Sequence, residues 1–369
     1  MQVAEVEKIN KRLLSLDAYR GLTMFMLVAG GAGVFRALRD PFYADSFLGP
    51  LLIQFTHHPW NGLYFWDLIQ PFFMFIVGVA MPFAFAKRIE RGDTPVQRFK
   101  HVLYRSVMLF FLGVFLHCFG ANMPVWELWN VLTQLSFTYL IAYLMMNKGT
   151  KTQIGFTIGL LVVTELFYRL WGLPGFDQPF VKDHNFGSWM DMVLMGKIND
   201  GGGWVAINCV PTTAHTMWGV LCGKLLMSRE TDKSKLLRLV LFGLGMVILG
   251  YAMNPITPII KRICTSSFVI VSGGWAILTL ALFYWIVDIK KKIKWASFAM
   301  IVGMNSIFIY MVANTIGSDS VKKSIAIFTH GFLSWMGDPL VNLLTALLTL
   351  GGYWYLCYWL YKKRVFIKI

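Results

Sequence analysis

The stretch YFWDLIQPFFMFIVGVAMPFAFA, from Tyr64 to Ala86, decides the fold. Its only charged residue is Asp67, and it is long enough to cross a hydrocarbon core of about 30 Å as one helix. No strand-like alternation runs through it. A segment in lipid must satisfy its own backbone hydrogen bonds, so a helix is the natural reading. Similar runs lie at about 21–38, 102–120, 128–146, 154–172, 204–227, 237–254, 266–287, 296–314 and 339–361. Together they predict an all-α, polytopic membrane bundle of about ten transmembrane helices.

Composition agrees. Of 369 residues, 56% are apolar and 14% charged, with a mean hydropathy of +0.57. A soluble domain carries about a quarter charged residues, so a soluble enzyme is excluded, as are disorder and a coiled coil. Five cysteines with no CxxC pair exclude a disulfide scaffold. The net charge of +15 reads as basic loops at a membrane, not as a nucleic-acid surface.

The basic residues orient the bundle. A cytoplasmic N-terminus gathers Lys8, Lys11, Arg12 and Arg20, then Lys87 to Arg105, Lys148 to Lys151, Lys224 to Arg238, Lys290 to Lys294 and Lys362 to Lys368 on one side. Of the 34 lysines and arginines, only Arg36, Arg39, Arg169, Lys182, Lys197, Lys261, Arg262, Lys322 and Lys323 are left for the other. The reading is a single domain over 1–369 with a cytoplasmic tail at 1–18 and both termini cytoplasmic. Its largest outer connections are 38–63, 173–203 and 315–338. The largest, 173–203, is rich in glycine, aspartate and aromatics (Asp177, Asp183, Trp189, Asp191, Asp200), either an interfacial belt or a substrate mouth.

Polar residues near the apolar runs are the functional candidates. His57, His58 and Asn61 lead into the helix that carries Asp67. A carboxylate at a membrane helix end is costly to desolvate and is paired or faces water. Histidine takes a proton near neutral pH, so the group suits proton transfer; capping and interfacial hydrogen bonding is the alternative, favoured for His58 and left open for His57. Asp17 with Arg20, and Glu165 with Arg169, read as structural pairs. Lys261, Thr265 and Ser266 crowd the outer start of the eighth run, and Asn305 needs a partner or a wet cavity in mid-membrane. His117 and His215 read as core histidines, and Gly30-Gly31-Ala32-Gly33 as a packing stretch within a helix. No HExxH or Cys/His spacing marks a metal site.

Ser15-Leu16-Asp17-Ala18-Tyr19-Arg20-Gly21, His57-x-x-Trp60-Asn61-Gly62-Leu63 and Asp67-Leu68-x-x-Pro71-Phe72-Phe73-Met74-Phe75 resemble the heparan-α-glucosaminide N-acetyltransferase family of membrane acyltransferases. Arg105-Ser106, Gly219-Val220-x-x-Gly223-Lys224, Lys261 with Thr265-Ser266-Ser267, Gly303-Met304-Asn305-Ser306-Ile307 and the tail Leu360 to Ile369 fit it in order. Ala29 stands where the family has an asparagine. The resemblance implies transfer of an acetyl group from cytoplasmic acetyl-CoA to an amino sugar on the far side of a bacterial inner membrane; O-acetylation and a homodimer stay open. It assigns catalysis to His57, as general base or through a covalent acetyl-His57 intermediate, with Asn61 and Asp67 beside it. It implies acetyl-CoA contacts from Arg20, Arg105, Ser106, Lys224, Lys362 and Lys363, and substrate contacts from Lys261, Thr265, Ser266 and Asn305. The alternative reading is an amino-sugar or N-acetylamino-sugar transporter.

Overall fold

In the computed structural model, residues 13–199 and 201–367 are described. The long helices are α1 (Leu14–Ala32), α2 (Ile69–Glu90), α3 (Pro95–Ala121), α4 (Val131–Met146), α5 (Thr150–Leu170), α6 (Phe186–Met195) and α7 (Cys209–Met227). They continue with α8 (Asp232–Ala252), α9 (Ser266–Phe283), α10 (Ser297–Met304), α11 (Ser306–Asn314), α12 (Lys322–Leu333) and α13 (Asp338–Lys362). Lys8, Lys11, Arg12, Asp200 and Lys368, used above in orienting the chain or reading its loops, lie outside the described residues.

Every apolar run of the sequence folds as helix, but fewer than ten helices have spanning character. Phe65–Glu90, α3, α5, α8, Ser266–Ile289 and α13 are long and apolar enough to cross a membrane, which makes 6 among the described residues. The pair α10 and α11, bent by 71° at Asn305, would add a seventh. The shortfall from ten lies in three helices. α4 has only 16 residues, and α7 buries Thr212, Thr213, His215 and Thr216. α1 carries Asp17 and Arg20 and stops at Ala32, where Gly33 turns the chain left-handed at φ +86°. The glycine stretch at 30–33 is therefore a helix end, not helix interior. The connection 315–338 likewise contains α12.

Local chemistry sets the ends. Thr94-Pro95-Val96-Gln97 starts α3: the Thr94 hydroxyl accepts from the Gln97 N–H at 3.3 Å, and the Gln97 side chain accepts from the Thr94 N–H at 2.7 Å. Asn130 caps α4 through the Leu132 N–H at 2.7 Å.

The chain divides into two compact units: the described parts of Met1–Leu16, Pro59–Leu63 and Gln70–Lys291; and Asp17–His58, Tyr64–Ile69 and Lys292–Ile369. Within the first, α2 and α7 cross backbone to backbone. A methyl added at Gly78 would collide with the Thr216 carbonyl, at Gly219 with that of Phe75, and at Gly223 with that of Val79. This small-residue crossing is the packing that membrane helices use in place of a hydrophobic drive. Around it Met81, Val102, Tyr139, Ala142, Met146, Met217 and Val220 form a buried cluster. Within the second unit, Gly21 of α1 lies against the Ala299 carbonyl of α10, and the Trp354 indole of α13 donates to the Phe298 carbonyl at 3.0 Å.

Candidate functional site

His57 and Asp67 meet. The chain from Ile53 to Leu68 doubles back through short 3-10 turns, placing His57 Nδ1 2.8 Å from Asp67 Oδ1. Asp67 Oδ2 accepts from the backbone N–H groups of His58 and Tyr64, both at 3.1 Å. The two backbone N–H groups ask the carboxyl to accept, and an ionised carboxylate accepts from the imidazole as well. Asp67 also occupies the third position of a capping box begun by Tyr64. The Asp67 side chain is 1% exposed and that of His57 36%: the carboxylate is fixed and dry while the imidazole reaches the surface. His58 turns the other way, its ring 4.6 Å from Tyr64 and its Nδ1 buried without a partner.

Asn61 is spent on backbone. Its Oδ1 accepts from the Ile259 N–H at 3.1 Å, and the Gly62 N–H donates to the Ile259 carbonyl at 2.9 Å. An isolated antiparallel bridge joins Asn61 to Ile260. The loop it grips carries three other candidates. The Thr265 hydroxyl accepts from the Ile260 N–H at 3.0 Å and donates to the Pro258 carbonyl at 2.7 Å. Ser266 bonds to Glu165 Oε2 at 3.1 Å, and Glu165 bonds in turn to Arg169 at 2.7 Å and Thr257 at 2.7 Å. Lys261 is buried, its Nζ 5.3 Å from the centre of the Trp204 ring. These residues build one loop cluster in the first unit.

The acetyl-CoA candidates fall in both units. In the first, the Arg105 guanidinium lies 4.8 Å from the Tyr139 ring centre. Ser106 is buried with its hydroxyl unpartnered, beside an apolar groove of about 520 Å³ lined by α3, α4, α6 and α7. Lys224 Nζ donates to the Met146 carbonyl at 2.5 Å in a smaller cavity of about 290 Å³, where α2, α4 and α7 end. In the second, Arg20 pairs with Asp17 at 2.6 Å, Lys362 Nζ lies 4.9 Å from the Tyr358 ring centre, and Lys363 is exposed. Asn305 is fully buried at the α10–α11 bend, its amide donating to the Val365 carbonyl at 3.1 Å and accepting from the Ile367 N–H at 2.8 Å.

A second histidine–carboxylate pair was missed in the sequence. His117 Nδ1 lies 3.0 Å from Glu127 Oε2, and Lys197 reaches Glu127 Oε1 at 2.5 Å. Next to it, Trp129 Nε1 donates to Asp191 Oδ2 at 2.7 Å and the Ala206 N–H to Oδ1 at 2.8 Å. Burial pushes the Asp191 carboxyl up to about 7, against the pull of those two hydrogen bonds. Glu127 and Lys197 are 70 residues apart, a pairing no local pattern announces. Among the described residues, no cluster of three or more histidines, cysteines or carboxylates forms a metal site.

The profile of a family described as a domain of unknown function (DUF5009) matches residues 12–166, which include His57, Asp67 and Arg105. Heparan-alpha-glucosaminide N-acetyltransferase of Mus musculus is 27% identical over 135 residues, covering 35% of this chain and 18% of that protein. The Homo sapiens enzyme of the same name is 26% identical over 135 residues with the same coverage. The matched stretch thus spans less than a fifth of these relatives. By sequence the chain is a distant relative of a membrane N-acetyltransferase, and by its long apolar helices an integral membrane protein.

Proposed function

We propose that the protein is an acetyl-CoA-dependent N-acetyltransferase of a bacterial inner membrane, with His57 as general base. The reading takes the whole chain as one membrane domain of about ten spans, both termini cytoplasmic and His57 on the outer side. What supports it best is the His57–Asp67 pair: a buried carboxylate holding an accessible imidazole at 2.8 Å. In this mechanism acetyl-CoA enters from the basic side, its phosphates held by lysines and arginines. The amino group of an amino sugar attacks the thioester carbonyl; the N–C bond forms and the C–S bond breaks. His57 Nε2 takes the amine proton and returns it to the departing CoA thiolate, while Asp67 steadies the imidazolium. An amine carrying its extra proton cannot attack, which gives the base a definite task.

The test is acetyl transfer to amino sugars by parent, His57→Ala and His58→Ala proteins, with acetyl-CoA binding measured in parallel. Loss of transfer in His57→Ala alone, with binding kept in all three, is the expected result. Binding without transfer in any of them would favour the transporter reading instead.

A further inference from the structure

The last helix ends in an unusual way. The Val365 N–H donates to the Leu360 carbonyl at 2.9 Å and the Arg364 N–H to the Tyr361 carbonyl at 3.0 Å. These are the paired bonds of a Schellman cap, whose left-handed position glycine normally fills. Here Arg364 fills it, at φ +56°. An L-residue resists that conformation, so something must hold it. The chain beyond is gripped by Asn305, whose one amide accepts from the Ile367 N–H and donates to the Val365 carbonyl. Asn305 is fully buried where α10 and α11 meet at 71°. There the α11 axis breaks and no intrahelical role competes for the side chain. The clamp thus fixes the direction in which Lys362, Lys363 and Arg364, all exposed, leave the end of α13.

We propose that Asn305 is a positioning residue for the phosphates of acetyl-CoA, acting through the tail it clamps and the Lys362–Lys363–Arg364 turn that this tail holds in place. The inference rests on the acetyl-CoA reading above and reassigns Asn305 from the acceptor's pocket to the nucleotide end of the donor. Three cations on a fixed turn present a preformed anion site; on a frayed helix end each would have to be ordered by the ligand. Basic residues at a membrane helix end also serve as anchors, and an anchor would be indifferent to what the ligand carries.

The experiment compares acetyl-CoA with S-acetylpantetheine, which keeps the thioester and pantetheine arm but lacks every phosphate. Binding of both is measured on purified full-length protein, on Asn305→Ala, on Lys363→Ala, and on a chain ending at Arg364, which removes the clamp's partner without touching the bend. Acetyl-CoA affinity should fall about tenfold in each variant, with a shallower salt dependence, while S-acetylpantetheine affinity stays within about twofold. Should Asn305→Ala fail to fold, the shortened chain carries the test. Equal losses for the two thioesters would overturn the proposal, because Asn305 would then support the fold or touch the acyl end. So would variants that bind acetyl-CoA like the parent. A parent protein that binds neither thioester would instead bring down the acyltransferase reading on which the proposal stands.

Discussion

Among the described residues, two histidines pair with carboxylates, and they are not equivalent. His57 meets an Asp67 that is 1% exposed and held by two further backbone N–H groups, while its own side chain is 36% exposed. His117 meets a Glu127 that is 18% exposed and divided between the imidazole and Lys197, and its own Nε2 is buried without a partner. The first arrangement orients a ring that something else can reach. The second ties the end of α3 to the segment before α4 and to the second residue after α6, and turns its remaining nitrogen inward. An ion pair becomes an instrument of proton transfer only when its carboxylate is fixed and its imidazole is accessible.

The contrast can be broken outright at His57. His57→Ala should lower acetyl transfer by about two to four orders of magnitude, the usual cost of a lost general base. His117→Ala should leave it within about threefold, since no such cost applies to a histidine outside the proton path. Equal losses measured side by side would end the distinction drawn here.

A smaller loss belongs to Asp67→Asn. Its amide satisfies only some of the three contacts and invites the wrong imidazole tautomer, an error that costs at most about 10⁴ in a serine-protease triad. The expected outcome is a fall less severe than in His57→Ala, with acetyl-CoA binding retained. A drop in binding that matches the drop in rate would make Asp67 a folding residue alone.

At the other pair, Glu127→Gln should touch stability before activity. Its bridge to the 45%-exposed Lys197 is partly solvated and is worth about 1 kcal/mol or less. A small shift in thermal unfolding with unchanged transfer is the outcome that keeps the two pairs apart.

The smallest effect is a pH dependence beside that second pair. Asp191 titrates near 7 in the fold, above its usual range near 4. The native state therefore holds this proton more tightly than the unfolded chain. The stabilisation is fully present below about pH 4, is lost as pH rises toward 7, and is absent above it. Thermal unfolding measured from pH 5 to 8 should decline in the parent and run flatter in Asp191→Asn. A parent profile that rises over this range would contradict the assignment.

Sequence made the helices legible because apolar length is a local property. Tyr64 to Ala86 can be read without knowing any neighbour, and so can the Glu165–Arg169 pair four residues apart, which forms at 2.7 Å. Residue chemistry alone left the candidate histidine open, since His57 and His58 differ by one residue in sequence, and the family resemblance singled out His57. What separates them is the fold-back to Asp67, ten residues on. Partners at long range were beyond reach: Asn61 answers to Ile259, 198 residues away, and Asn305 to a tail 60 residues further on. Hydropathy judges a run by its own residues, whereas the polarity of Gln134 is met by Gln70 of α2 and that of Thr213 by the Cys209 carbonyl one turn back.

The crossing of α2 and α7 limits how this protein can move. Gly78, Gly219 and Gly223 let the two backbones touch with nothing between them. Sliding one helix along the other by a single turn, about 5.4 Å, would drive larger side chains into a gap that admits only hydrogen. The two helices are keyed together like a tongue in a slot. Any working stroke must carry them as one body, so conformational change has to come from elsewhere in the fold.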